Sequence, residues 1–175
     1  MDNAVIKALK ERRSIRAFKP EQITDDELKT VLEAGTWAPT AKGLQDPWIV
    51  AVQKPELLHR ISRMNAAVWG REGIDPFYGA PTFVLVFGSA DWANAVPDGS
   101  LVLGNMMLAA HAIGLGSCWI NREREMFATE EGKALMAELG LPDNLIGIGA
   151  LALGYPAAPP KDPKPRKENY WRIVK

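Results

Sequence analysis

Asp98-Gly-Ser-Leu-Val-Leu-Gly-Asn-Met-Met-Leu-Ala-Ala-His-Ala-Ile-Gly-Leu-Gly-Ser-Cys-Trp-Ile-Asn121 sets the architecture of this chain. From Leu101 through Asn105, Leu108 and His111 to Ile113 the spacing is helical, with Asp98 or Ser100 as the cap. The helix is apolar nearly all round, so it belongs in a core, an interface, or both. Gly116 to Ile120 then reads as a short strand.

Beyond that strand, residues 130–139 form an amphipathic helix ended by Gly140, and Leu145 to Leu153 form a strong strand. On the N-terminal side, Thr82 to Phe87 is apolar throughout and reads as a central strand. Residues 65–80, rich in Gly and aromatics, read as an irregular or partly helical crossing. A helix follows Pro55 with Leu57, Leu58, Ile61 and Met64 on one face, and Trp48 to Val52 is a short strand. Thr24-Asp-Asp-Glu27 has the form of a capping box and opens a helix that Gly35 closes and Pro39 cannot continue. Val5, Ile6 and Leu9 mark a first helix ending near Arg12 to Ser14. Helices and strands alternate with uneven connections, which predicts a three-layer α+β fold with a mixed central sheet flanked by helices, a single domain over 1–175.

The chain's 175 residues, 47% hydrophobic and 24% charged, suit a globular domain with its own core. Twenty-one basic residues balance twenty-one acidic ones, so the total gives no sign of a nucleic-acid partner. The lone Cys118 excludes an internal disulfide and any multi-cysteine metal site. No signal peptide is evident and no apolar stretch is long enough to span a bilayer, so a cytoplasmic location without membrane contact is expected. Charge is unevenly placed, however. Six basic residues lie between Lys7 and Lys19 and six more between Lys161 and Lys175, around an acidic body. Two readings stay open: solvated charged ends, or an anion site built from both termini. The tail from Pro156 to Lys175, rich in proline, carries Tyr170, Trp171, Ile173 and Val174, which need cover from a second subunit or from the chain's own body.

Four segments can carry chemistry. Glu11-Arg-Arg-Ser-Ile-Arg-Ala-Phe18 offers guanidinium forks and a hydroxyl suited to a phosphate. Because it follows a helix C-terminus, its side chains rather than the macrodipole must do the binding. Gly35-Thr-Trp-Ala-Pro-Thr-Ala-Lys-Gly-Leu-Gln-Asp-Pro-Trp48 is either a plain connector or a loop whose backbone can approach a flat ligand. Gly114 to Asn121 ends the apolar helix, and Leu153-Gly-Tyr-Pro156 leads to Pro163-Lys-Pro-Arg166.

In this order and spacing the four segments resemble the FMN-dependent nitroreductase family, in particular its short members, over nearly the whole chain. The resemblance implies a homodimer with FMN at the subunit interface and a C-terminal extension, 156–175, that reaches the partner. Arg12, Arg13, Ser14 and Arg16 would hold the phosphate, ribityl chain and pyrimidine edge, and Lys164 and Arg166 would close on the same phosphate. Pro39, Thr40, Ala41 and Gln45 would reach the flavin from the partner. Trp119, Ile120 and Asn121 would lie along the isoalloxazine. Gly43 departs from the Asn frequent in the family, and Asp46 separates Gln45 from Pro47-Trp48, where many members run Gln-Pro-Trp directly. The implied activity is hydride transfer from NADH or NADPH through FMN to a small electrophile such as a nitroaromatic, quinone or enone, by a ping-pong route. No side-chain acid or base is nominated. Flavin storage or sensing without turnover is the rival function, and a basic-ended adaptor for an acidic partner is a third.

Other signals carry less. Gly147-Ile-Gly149-Ala-Leu-Ala152 fits a dinucleotide fingerprint but has no helix after it, so close backbone packing explains its glycines better. Cys118 reads as a small buried hydrophobe. His59 and His111 are too far apart for a metal site, and His111 reads as a core residue. Trp48 and Trp171 read as structural, whereas Trp69 and Trp92 could line a substrate pocket.

Overall fold

A computed structural model describes residues 2–175. The elements run α1 (Ala4–Glu11), α2 (Asp25–Thr36), β1 (Trp48–Val52), α3 (Pro55–Val68), β2 (Thr82–Ser89), α4 (Ala95–Ala112), β3 (Gly116–Ile120), α5 (Glu123–Ala128), α6 (Glu130–Glu138) and β4 (Leu145–Gly154). The strands form one sheet in the order β1-β2-β4-β3. Helices cover both of its faces, as expected of three layers.

Each named pair is antiparallel, which corrects the expected mixed sheet. The isolated Ser14–Ser117 bridge is the one parallel pairing among the described residues. The apolar run of β2 reports two covered faces, not strand direction. Its alternate residues divide the core: Phe83, Leu85 and Phe87 join Ile61, Phe127 and Leu135, while Val84 and Val86 join Val31, Leu103 and Met106. Burying a side chain of this size stabilises the fold by about 1.5–3 kcal/mol.

Local chemistry matches the helix starts in two places. The Thr24 and Glu27 side chains each bond the other's backbone N–H, completing the capping box of α2. Pro55 takes the first turn of α3, where a missing N–H costs nothing. Two other expectations fail. Helix α4 begins at Ala95, so Asp98 lies within it, buried, and caps nothing. Gly35 sits inside the last turn of α2, where a Cβ would come within 2.8 Å of Met106; the glycine serves helix contact.

The α5 helix was not legible, being only six residues long. His111 is half-buried rather than part of the core. Trp48 is half-exposed on the edge strand and Trp171 is 76% exposed. Neither tryptophan is a core residue of its own chain: Trp48 opens the edge strand β1, and Trp171 lies on the tail, which is exposed from 157 onward.

Candidate cofactor site

The two ends of the chain meet through backbone hydrogen bonds. Ile15 N–H donates to Ser117 O at the start of β3, Lys19 N–H to Tyr155 O, and Ala157 N–H to Ala17 O. A further bridge pairs Phe18 with Pro156. Residues 14–19 are thereby fixed between β3 and the beginning of the tail. The result is a cavity of about 660 Å3 lined by Arg12, Arg13, Ser14 and Arg16 from one end and by Lys164 and Arg166 from the other. The tail from Ala158 to Pro163 forms part of its wall.

Its electrostatics suit an anion. Among the described residues none of these five cations forms an ion pair. Arg13 Nη1 donates to Lys10 O at 2.6 Å and to Arg12 O at 2.7 Å, covering carbonyls at the end of α1. That contact offsets the negative helix end, which would otherwise oppose an anion. Arg12 Nη1 is buried without a hydrogen-bond partner. A buried charged donor left unpaired is costly, and a phosphate oxygen would supply the missing acceptor. By charge, donor type and volume, the residues present fit the phosphate end of FMN.

Strand β3 carries the second predicted group. Cys118 lies against Ser14, Arg16 and Arg12, an electropositive setting the sequence did not reveal, yet burial outweighs it and pushes the thiol pKa up. Ile120 is buried in the core, so only its backbone is open to a ligand. Trp119 is half-buried with Nε1 unpartnered, and it packs where a Cβ on Gly149 would lie 2.8 Å from that nitrogen. Close packing, not dinucleotide binding, accounts for this glycine. Asn121 is exposed, and its carbonyl accepts from Asn65 Nδ2 at 2.8 Å.

Sequence reading missed the residues behind Asn121. Asn65, wholly buried, also donates to Glu123 Oε1 at 3.1 Å and accepts from Arg122 Nε at 3.0 Å. Burial pushes the Glu123 carboxyl up to about 8, so it is neutral at pH 7, with Oε2 unpartnered. The only available signal was a polar residue on the apolar face of α3.

Pro39, Thr40, Ala41 and Gln45 do not line the cationic cavity of their own chain, and neither do Trp119, Ile120 and Asn121. The loop is nevertheless built. Asp98, the supposed cap, accepts from Ala41 N–H at 3.0 Å and from Trp92 Nε1 at 3.0 Å. Gln45 N–H donates to Thr40 Oγ1, and Asp46 Oδ2 accepts from Ser89 N–H at the end of β2. The extra Asp46 thus ties the loop to the sheet. Lys42, Gly43 and Gln45 all have left-handed φ.

Comparison with known proteins identifies the family of the chain. The model of the nitroreductase family matches residues 9–155. A provisionally named NADH dehydrogenase/NAD(P)H nitroreductase of Archaeoglobus fulgidus is 32% identical over 86% of this chain and 84% of its own. The FMN reductase [NAD(P)H] of Bacillus subtilis is 27% identical over 89% of this chain and 67% of its own. Among solved structures, a Bacteroides fragilis nitroreductase with bound FMN superposes with a TM-score of 0.92 at 30% identity, covering 99% of this chain and all of that one. With the family model matching residues 9–155 and a relative 32% identical over most of both chains, the chain belongs to the nitroreductase family.

Proposed function

We propose that residues 1–175 form one FMN-binding unit of a cytoplasmic, homodimeric oxidoreductase that moves hydride from NADH or NADPH to a small electrophile such as a nitroaromatic, quinone or enone. The observation that carries this reading is the convergence of Arg12, Arg13, Ser14, Arg16, Lys164 and Arg166 around one cavity, with one guanidinium nitrogen of Arg12 buried and unpaired. FMN, when bound, supplies the carrier that accepts a hydride and gives it up again. Arg12, Arg13 and Ser14 bind its phosphate and ribityl chain, and Lys164 and Arg166 close on the phosphate from the tail. Arg16, whose Cζ lies 6.0 Å from the Tyr78 ring centroid, holds positive charge at the pyrimidine edge. The backbone of Trp119, Ile120 and Asn121 borders the ring system. Reductant and oxidant occupy the same place in turn.

The dimer reading rests on uncovered apolar surface. Val5, Leu9, Trp37 and Leu101 are exposed, and a groove of about 420 Å3 runs between α1, α2 and α4. The tail adds exposed Tyr170, Trp171, Ile173 and Val174. In a dimer, Pro39, Thr40, Ala41 and Gln45 serve the cofactor of the other subunit, consistent with their absence from the lining of their own chain's cationic cavity.

A visible spectrum of the purified holoprotein tests the reading. Anaerobic NADH or NADPH should bleach the flavin bands, and a nitroarene or quinone should restore them. Bands that no reductant bleaches would favour flavin storage instead. A protein that stays colourless at saturating FMN would remove the cofactor assignment altogether. Sedimentation at micromolar concentration should give twice the 19.2 kDa chain mass.

A further inference from the structure

Beyond the cationic cavity, the turn after α3 and the start of α5 hold two guanidiniums against one indole. The Cζ of Arg122 lies 4.5 Å, and that of Arg71 4.7 Å, from the ring centroid of Trp69. Among the described residues neither arginine forms an ion pair. Two like charges gathered on one ring repel each other, and an anion between them would relieve that repulsion.

Arg122 is held there at a conformational cost. Its φ of +84° is left-handed, a region disfavoured for a residue with a Cβ. Such strain persists where the surroundings over-determine it. Here the buried Asn65 fixes Arg122 Nε at 3.0 Å and the carbonyl of the preceding Asn121 at 2.8 Å. Among the described residues neither terminal guanidinium nitrogen of Arg122 has a hydrogen-bond partner, which leaves both for a ligand. The adjacent carboxyl, Glu123, is neutral at pH 7 and does not cancel the charge. Arg71 is exposed, on a turn closed by its own N–H to Ala66 O.

We propose that Arg71 and Arg122, stacked on Trp69, form the subsite that receives phosphoryl oxygens of the nicotinamide dinucleotide reductant. The proposal rests on the reading of residues 119–121 as the flavin-bordering segment, since Arg122 follows Asn121 directly in the chain. Planar guanidiniums bind such oxygens in pairs. Two sources share this chemistry: the pyrophosphate present in NADH and NADPH alike, and the 2′-phosphate of NADPH alone.

The test uses flavin-loaded protein and three reductants: NADH, NADPH and a phosphate-free dihydronicotinamide. The readout is the KM of each dinucleotide divided by the KM of the phosphate-free compound. Arg71→Ala keeps the turn's backbone bonds, and it should raise that ratio about tenfold, the loss of one charge-assisted contact. Arg71→Glu should raise it further, and Arg71→Lys should restore part of it. A rise with both dinucleotides assigns the pyrophosphate; a rise with NADPH alone assigns the 2′-phosphate. Ratios unchanged for both would overturn the subsite. A native holoprotein bleached by none of the three loses the hydride-transfer reading as well, whereas bleaching with unaltered ratios removes the subsite alone.

Discussion

Two polar regions meet opposite ends of β3, and they are built on opposite rules. At Ser117 the strand touches the segment carrying Arg12, Arg13 and Arg16, which faces Lys164 and Arg166 across a cavity. These are like charges, exposed or half-buried, with few partners among themselves. Just past the other end, Asn65, Arg122 and Glu123 cross-link one another, with the amide and carboxyl fully enclosed. The first group has donors left for something outside the chain; the second spends most of its hydrogen bonds within it. Substitutions should therefore weaken ligand binding in the first region, and those of the enclosed Asn65 and Glu123 should weaken stability in the second.

The largest expected effect is that of Asn65→Leu. It removes three hydrogen bonds at once and leaves the Asn121 carbonyl and the Glu123 carboxyl without their donor. At about 1–3 kcal/mol for each buried group stranded, the loss is on the order of 3 kcal/mol or more. Urea unfolding should show a lower midpoint at an unchanged slope. A loss below about 1 kcal/mol would mean that this cluster is not a stabilising unit and that the contrast fails.

Glu123 gives the next effect, read as a dependence on pH. Its folded pKa of about 8 lies above the ordinary 4.5, so between these values the native state holds one proton more than the unfolded chain. The contribution is complete below pH 4.5 and is lost as pH rises through 8, at roughly 1.4 kcal/mol per unit. Glu27 behaves in the opposite sense. A hydrogen bond from Tyr155, then those from Thr24, lower its pKa, so its contribution is present above the usual carboxylate range and lost on acidification. The interval from about pH 5 to 8 therefore isolates Glu123. Glu123→Gln should flatten the curve there, and an equally steep curve in that variant would place the titrating group elsewhere.

The same contrast explains what could be read without coordinates. Arg12, Arg13, Ser14 and Arg16 are neighbours in sequence, and Lys164 and Arg166 repeat the pattern at the other end, so charge clustering made an anion site built from both termini one of two readings, the other being solvated charged ends. The strands and long helices were legible because apolar spacing is local. Strand direction was not, since the two-sided burial of β2 looks the same in either orientation. The Asn65 cluster joins residues 56 to 58 positions apart, and each looks ordinary in its own segment. Asp98 misled for a related reason. A carboxylate ahead of an apolar run has the form of a cap, but its partners, Ala41 and Trp92, become visible only once the loop is folded. Tertiary hydrogen bonding leaves no periodic trace.

Within the cationic cavity itself a smaller contrast remains. Arg12 is half-buried with an unpaired Nη1, whereas Arg166 is exposed and its Nη2 already donates to Lys164 O at 2.8 Å. Both are proposed to face the same phosphate, but water and salt screen only the second effectively. Arg12→Ala should weaken FMN binding about tenfold or more at any ionic strength, because a shielded charge-assisted hydrogen bond is lost. Arg166→Ala should cost less, and its cost should fade as salt shortens the screening length from about 10 Å at 0.1 M to about 3 Å at 1 M. Titrating each apoprotein with FMN and following flavin fluorescence at low and high salt measures both. If the two variants lose affinity equally and with the same salt dependence, burial does not grade the cations, and the tail closes over the phosphate more tightly than its exposure in the single chain implies.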